Sequence, residues 1–262
     1  MYSVNKTLYI PLYGKAYVSR RGILLSDPDA EAIWEKSAFP LKGKSASKWL
    51  SLYMGMRSAV FDRWLREKLA REPGSTVLHL GCGLDSRCRR VSYAGGQWYD
   101  VDFPEVIRER QLHFSALEGY RMIPGDLRED VWLEAIPAGG RAIIVMEGVS
   151  MYLRPEELNA LLNRLAQHFS HVELLMDCYS TFAAKASAVK NPINDVGVTQ
   201  VYGLDDPAAA AEGTGLTFLE ELDMTPDDMI GQLQGMEKML FRKLYAGRTA
   251  RKLYKLYAYS SK

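Results

Sequence analysis

From residue 76 onward, short apolar runs alternate with amphipathic ones, and four successive apolar runs finish on a glycine turn or an acid. Thr76 to Leu80 leads into Gly81-Cys-Gly83, and Gln97 to Asp102 ends on a carboxylate. The run to Ile123 is followed by Gly125-Asp126, and Arg141 to Glu147 ends on a second carboxylate. Strands alternating with helices build a parallel sheet covered on both faces. The carboxyl ends of such strands share one edge, where ligands bind. Groups far apart in the chain are therefore expected to meet along one rim.

The first of these tips reads as a nucleoside-cofactor site. Gly81 and Gly83 permit a tight turn and a close approach of backbone N–H groups to a ligand. Asp102 follows Gly81 by 21 residues, close to the spacing at which an acid on the next strand accepts hydrogen bonds from a ribose. A nicotinamide oxidoreductase shares this arrangement, but the third glycine of its turn would fall at position 86, which is Ser86. A binding protein that keeps the pocket without turnover is a third reading.

Composition narrows the class. With 262 residues, 47% of them hydrophobic and 11% aromatic, the chain can bury a large core. It divides into a helical cap or substrate-lid segment over 1–72 and a cofactor-binding core over 73–262. The net charge of +1 favours neither a nucleic acid nor another polyanion as partner. Basic residues gather near the C-terminus, among them Arg242, Lys243, Arg248, Arg251 and Lys252, where a solvated helix face and edge strand are expected. Cys82, Cys88 and Cys178 have no metal-ligand spacing and form no disulfide framework. No metal is expected, and a cytoplasmic location is. No apolar window approaches the ~18 residues of a membrane span.

Periodicity fixes the coarse order. Residues 5 to 48 are irregular in pattern apart from a helix starting near Asp27-Pro28. A helix covers Trp49 to Ala70 and a short one Ser86 to Val91. Others run from Pro104 to about Glu118, Asp130 to Ile136, Pro155 to Phe169 and Thr181 to Lys190. A further strand spans Val172 to Cys178. The pattern then changes to a helical turn at Pro207, a strand from Leu216 to Leu222 and a long helix from about Pro226 to Tyr245. The terminal strand, Arg251 to Ser260, alternates with period two. An antiparallel pair is expected to finish the sheet. Met229, Met236 and Met239 are read as core filler, with the lining of a plastic substrate pocket as the alternative.

Gly81-Cys-Gly-Leu-Asp-Ser-Arg87, Trp98-Tyr-Asp-Val-Asp-Phe-Pro-Glu-Val106 and Glu147-Gly-Val-Ser-Met-Tyr-Leu153 occur in this order. In them the chain resembles the leucine carboxyl methyltransferase family, and most closely its bacterial polyketide O-methyltransferase branch. Thr7 to Lys15, Arg57 with Asp62, and Met176-Asp-Cys-Tyr-Ser180 extend the likeness. The resemblance implies an α/β, doubly wound, seven-stranded, mostly parallel sheet with its last strand antiparallel. It also implies an S-adenosylmethionine-dependent O-methyltransferase acting on a small, polyketide-like molecule. Carried over by position, Arg57 pairs the methionine carboxylate, the Gly81–Gly83 loop lies against methionine and ribose, and Asp102 holds the ribose. Asp126 and Leu127 bracket the adenine, Glu147 lies beside the methionine end, and Lys15 faces the cofactor.

Methyl transfer from a sulfonium is an in-line displacement, so alignment and proximity supply much of the rate, on the order of 7–11 kcal/mol. A carboxylic acid with a pKa near ~4 is already ionised at neutral pH, whereas a phenol near ~10 gains from a base. His113, His168 and His171 lie away from the strand tips and His79 lies inside a strand, so no evident base exists. A carboxylate acceptor is favoured over a hydroxyl. Tyr152 and Tyr179, just beyond strand tips, are the polar candidates to face the acceptor. The simpler alternatives are a helix cap for Asp102, a surface charge for Arg57 and wall aromatics for both tyrosines.

Overall fold

In the computed structural model, which describes residues 7–37, 39–93, 95–187 and 200–261, one sheet has the strand order β3-β2-β1-β4-β5-β7-β6. The strands are β1 Thr76–Leu80, β2 Trp98–Asp102, β3 Tyr120–Pro124, β4 Arg141–Met146, β5 His171–Tyr179, β6 Leu216–Leu222 and β7 Tyr254–Ser261. The first five pair in parallel, and β7 pairs antiparallel with both β5 and β6. Central β1 is buried from Val77 through Leu80 without alternation, as expected of a strand covered on both faces.

The helices are α1 Tyr9–Arg20, α2 Pro28–Ser37, α3 Lys48–Arg71, α4 Arg87–Arg90, α5 Pro104–Gln111 and α6 Val131–Glu134. They continue with α7 Pro155–His168, α8 Thr181–Ser187, α9 Pro207–Ala210, α10 Asp227–Ile230, α11 Gly235–Tyr245 and α12 Arg248–Arg251. On one face of the sheet, Phe61, Trp64 and Leu65 of α3 pack with Val77, Ile143, Val145 and Leu175. On the other, Leu158, Leu161, Leu162 and Leu165 of α7 meet Leu78, Ile144 and Leu174. Among the described residues, no helix is long and apolar enough to cross a membrane.

Several sequence expectations need correction. The irregular reading of residues 5–48 misses α1. Pro11 stands in its first turn, where a backbone N–H has no intrahelical partner to lose. The helix expected to reach Glu118 ends at Gln111; His113 and Phe114 turn back onto the Arg110 carbonyl, and Gly119 has φ +70°. The long helix from Pro226 to Tyr245 is two, because Gln234 is extended (φ −115°, ψ 151°) and Gly235 is left-handed at φ +50°. The terminal strand starts at Tyr254 rather than Arg251, which lies in α12. Residues 188–190 of the helix expected to reach Lys190 fall outside the described residues. Met229 is core, but Met236 and Met239 are solvent-exposed at 71% and 63% and fit neither reading offered for them.

Candidate active site

The carboxyl ends of β1 to β5 open into one cavity of about 1370 Å3. Its wall includes Lys15, Arg57, Gly81, Gly83, Asp102, Asp126, Leu127, Glu147, Tyr152 and Tyr179. The candidate donor and acceptor residues named from the sequence therefore border the same space. The cavity exceeds the ~300–1,000 Å3 usual for a single small ligand.

The β1 turn is shaped by conformation and by space. Gly81 and Gly83 have φ of +66° and +52°, in the region glycine enters without penalty. A Cβ on Gly81 would lie 2.2 Å from Val149 Cγ2. Gly83 N–H donates to Asp102 Oδ2 at 2.7 Å, and Phe103 N–H to Oδ1 at 2.8 Å. Asp102 thus ties its own strand tip to the glycine turn, and it does not cap α5, whose N-cap is Phe103 with no side-chain cap bond. Burial pushes its carboxyl up to about 6, although the two backbone donors act to lower it.

At the next tip Leu127 is buried while Asp126 stays half-exposed. The Arg128 side chain clasps Asp126, with Nε 2.9 Å from Oδ1 and 3.0 Å from Oδ2, and holds its carboxyl below the usual range. Gly125 lets this turn sit against Trp132, whose Cβ would be 2.4 Å from a Cβ at residue 125.

Behind the glycine turn lies a buried ionic cluster. Arg57 is only 4% exposed, which removes the surface-charge reading. Its Nε donates to Glu147 Oε1 at 3.0 Å, and its Nη1 to Asp177 Oδ2 at 2.9 Å and to the Tyr254 hydroxyl at 2.6 Å. Arg87, fully buried, donates to Glu147 Oε2 and to Asp62 Oδ1 at 2.7 Å, and lies 3.2 Å from Asp85. Arg90 holds Asp27, Asp62 and Asp85, and Lys15 is 3.5 Å from Asp85. Burial alone would raise the Glu147 carboxyl, but Arg57, Arg87 and Lys15 prevail and hold it at about 2.

Five buried carboxylates, those of Asp27, Asp62, Asp85, Glu147 and Asp177, thus face the buried Lys15, Arg57 and Arg87 and the half-buried Arg90. The exposed Arg66 lies 3.8 Å from Asp62, and the cluster meets the self-neutralising buried pair Asp100 and Arg110 through His79. The set of five carboxylates and four cations carries one excess negative charge, which suits a ligand with a net positive one.

His79 lies within this cluster. Its Nε2 is 3.1 Å from Arg87 Nη1, a donor with no acceptor capacity, so the proton belongs on Nδ1, 3.4 Å from Asp100. Burial lowers the imidazole pKa further. It is a packed strand residue, as the sequence suggests, and not an available base.

The other end of the cavity is aromatic. Ring centroids run 4.7 Å from Tyr179 to Tyr254, 6.2 Å from Tyr254 to Tyr53 and 4.8 Å from Tyr53 to Tyr245. Leu50, Met54, Phe182 and Leu244 complete this wall. Burial raises the phenols of Tyr53, Tyr152 and Tyr254 above their ordinary value. These groups stay protonated at neutral pH.

Sequence reasoning gave no role to Arg87, Asp177, Tyr53 or Tyr254. One signal for Arg87 was present. A cation on the first residue of a helix opposes the helix dipole, so an arginine there implies dedicated carboxylate partners. Asp177 likewise interrupts the otherwise apolar Leu174 to Cys178, and a lone acid within a central strand implies a buried cation.

Comparison with known proteins shows the family and the fold. The family model described as leucine carboxyl methyltransferase matches residues 13–166. The tetracenomycin polyketide synthesis O-methyltransferase of Streptomyces glaucescens is 28% identical over 239 residues, covering 90% of this chain and 88% of that protein. An S-adenosyl-L-methionine-dependent methyltransferase of Gibberella zeae is 29% identical over 63% of this chain and 60% of its own. In fold, the chain is similar to magnesium protoporphyrin IX methyltransferase from Synechocystis PCC 6803 crystallised with SAH. The TM-score is 0.54 at 14% identity, over 90% of this chain and 94% of that one.

Proposed function

The chain belongs to the leucine carboxyl methyltransferase family, and from that premise we propose that this S-adenosylmethionine-dependent O-methyltransferase esterifies the ionised carboxylate of a small aromatic acceptor. The observation that carries the reading is the continuity of one cavity from the buried ionic cluster to the tyrosine wall. The segment over 1–72 lends Lys15 and Arg57 to the donor-binding core of 73–262, and Leu50, Tyr53 and Met54 to the acceptor wall.

The donor fits the residues present. The excess negative charge of the cluster complements a sulfonium zwitterion, and Gly148 leaves space beside Arg57, whose Nη1 and Nη2 would lie 3.4 Å from a Cβ there. Arg57 offers the remaining donors of its fork to the methionine carboxylate. Glu147 and Lys15 set the charge around that end. Asp102 and the Gly81–Gly83 turn receive the ribose, and Asp126 and Leu127 the adenine. Bound there, S-adenosylmethionine supplies an electrophilic methyl group.

The protein's own contribution is alignment. The tyrosine wall lays a flat acceptor against the donor end, and Tyr152 and Tyr179 border the place where its oxygen arrives. Burial raises the phenols of Tyr53, Tyr152, Tyr245 and Tyr254, so none of these four serves as a base near neutral pH, which favours an acceptor ionised beforehand. The small-molecule acceptor is read as polyketide-like from the Streptomyces relative. The buried free thiols of Cys82, Cys88 and Cys178 suit a reducing, cytoplasmic setting.

Two measurements test the reading. Asp102→Ala weakens S-adenosylmethionine binding in calorimetry by about 1–3 kcal/mol, the usual cost of an unsatisfied buried partner; an unchanged affinity removes Asp102 from the donor site. With the Asp102 carboxyl at about 6, the ionised form that accepts from ribose hydroxyls is lost as pH falls through that value. Donor affinity therefore drops roughly tenfold between pH 7.5 and 5. The methylation rate, measured at saturating donor, stays flat from pH 7 to 10 for a carboxylate acceptor. A steep rise over that range identifies a hydroxyl acceptor instead.

A further inference from the structure

We propose that Asp177 and Tyr254 are positioning residues for the methyl donor: they lock the Arg57 fork in the orientation that receives the methionine carboxylate. The inference rests on the donor site proposed above and gives Asp177 and Tyr254 a role there beyond the charge of one and the aromatic ring of the other.

Arg57 projects from α3, whereas Asp177 and Tyr254 come from β5 and β7, which pair antiparallel with Tyr179 opposite Tyr254. The three side chains close a ring. Arg57 Nη1 donates to Asp177 Oδ2 at 2.9 Å and to the Tyr254 oxygen at 2.6 Å, and the Tyr254 hydroxyl donates to the same Asp177 oxygen. Asp177 is itself fixed, because its Oδ1 accepts from Gly148 N–H at 2.7 Å. Arg57 Nε is held separately by Glu147 at 3.0 Å.

Nε and Nη1 are thus spent within the protein, and among the described residues Nη2 makes no hydrogen bond. It belongs to a residue on the cavity wall beside Gly148, whose missing side chain leaves that approach clear. A long arginine side chain has many rotamers, and a planar fork binds a carboxylate well only when its plane is set beforehand. The ring fixes that plane. Tyr254 has a second consequence: its ring forms part of the acceptor wall while its hydroxyl touches the donor-binding arginine. One residue therefore spans both halves of the cavity.

The test compares two ligands by calorimetry on the intact protein. S-Adenosylhomocysteine carries the amino-acid end, and 5′-methylthioadenosine keeps the adenosine but lacks that end. Tyr254→Phe preserves the aromatic wall and removes only the hydroxyl, and Asp177→Asn preserves shape and removes the charge. Each variant is expected to bind S-adenosylhomocysteine about tenfold more weakly, as befits a hydrogen bond to a charged group, while its affinity for 5′-methylthioadenosine stays within twofold of wild type.

Equal losses for the two ligands would mark a merely structural role and overturn the proposal. Unchanged affinity for S-adenosylhomocysteine in both variants, with cooperative thermal melts, would overturn it as well. If the wild-type protein binds neither ligand, the donor site itself is wrong and the inference falls with it.

Discussion

Replacing Arg87 with alanine is expected to lower the unfolding free energy by about 3–5 kcal/mol, the range for removing one partner from a buried ion pair. The side chain is fully buried, lies over the Phe61 ring at 5.4 Å and serves Asp62, Asp85 and Glu147 together. Its loss strands carboxylates that solvent cannot reach. Glu147, held at about 2, is below its ordinary value in the fold. Its contribution to stability is therefore fully present above the unfolded value and fades as pH falls through the folded one. Without Arg87 the folded value rises, and acid unfolding begins at higher pH. Urea titrations at pH 7 and pH 5 measure both effects. A loss under 1 kcal/mol at pH 7, or a variant unfolding at the wild-type acid midpoint, would show that the cluster does not depend on this residue. Arg87→Lys should recover little, since a single ammonium cannot reproduce a fork spanning three acids.

Gly81→Ala is the second large effect. A left-handed backbone at φ +66° costs an L-residue about 1–2 kcal/mol. The new methyl would stand 2.2 Å from Val149 Cγ2, which adds overpacking of about 1–3 kcal/mol unless the valine moves. Relief of the clash displaces the turn whose neighbouring Gly83 N–H reaches Asp102. Stability and donor binding should therefore fall together, in contrast to Asp102→Ala, where binding suffers more than folding. Thermal unfolding with and without S-adenosylhomocysteine separates the cases. A Gly81→Ala protein that melts as wild type and keeps its ligand-induced shift would contradict the account.

The sheet and its rim could be read from the sequence because they rest on local signals. Apolar runs of strand length, glycines directly after β1, and acids at the tips of β2 and β4 repeat at spacings that a parallel sheet converts into one edge. The structure places Gly81, Asp102, Asp126 and Glu147 around the same cavity. Tertiary facts were harder to see. Helix α1 was hidden by Pro11, whose harmlessness depends on its falling in the first turn. The break before α11 turns on the backbone of Gln234 and Gly235, which no hydrophobic period records. Arg57 was legible as a donor-site candidate only through a motif. What makes it competent, a partner just past β4, another on β5 and a third on β7, is scattered over the chain and leaves no pattern in any single segment.

Because β7 inserts between β5 and β6 rather than adding at the edge, completion of the donor end depends on the docking of a strand distant in sequence from Arg57. Until residues 254–261 slot into place, β6 has no neighbour in the sheet and Arg57 lacks the Tyr254 hydroxyl. Donor affinity should accordingly depend on closure of the sheet, making donor capture a report on whether β7 has docked.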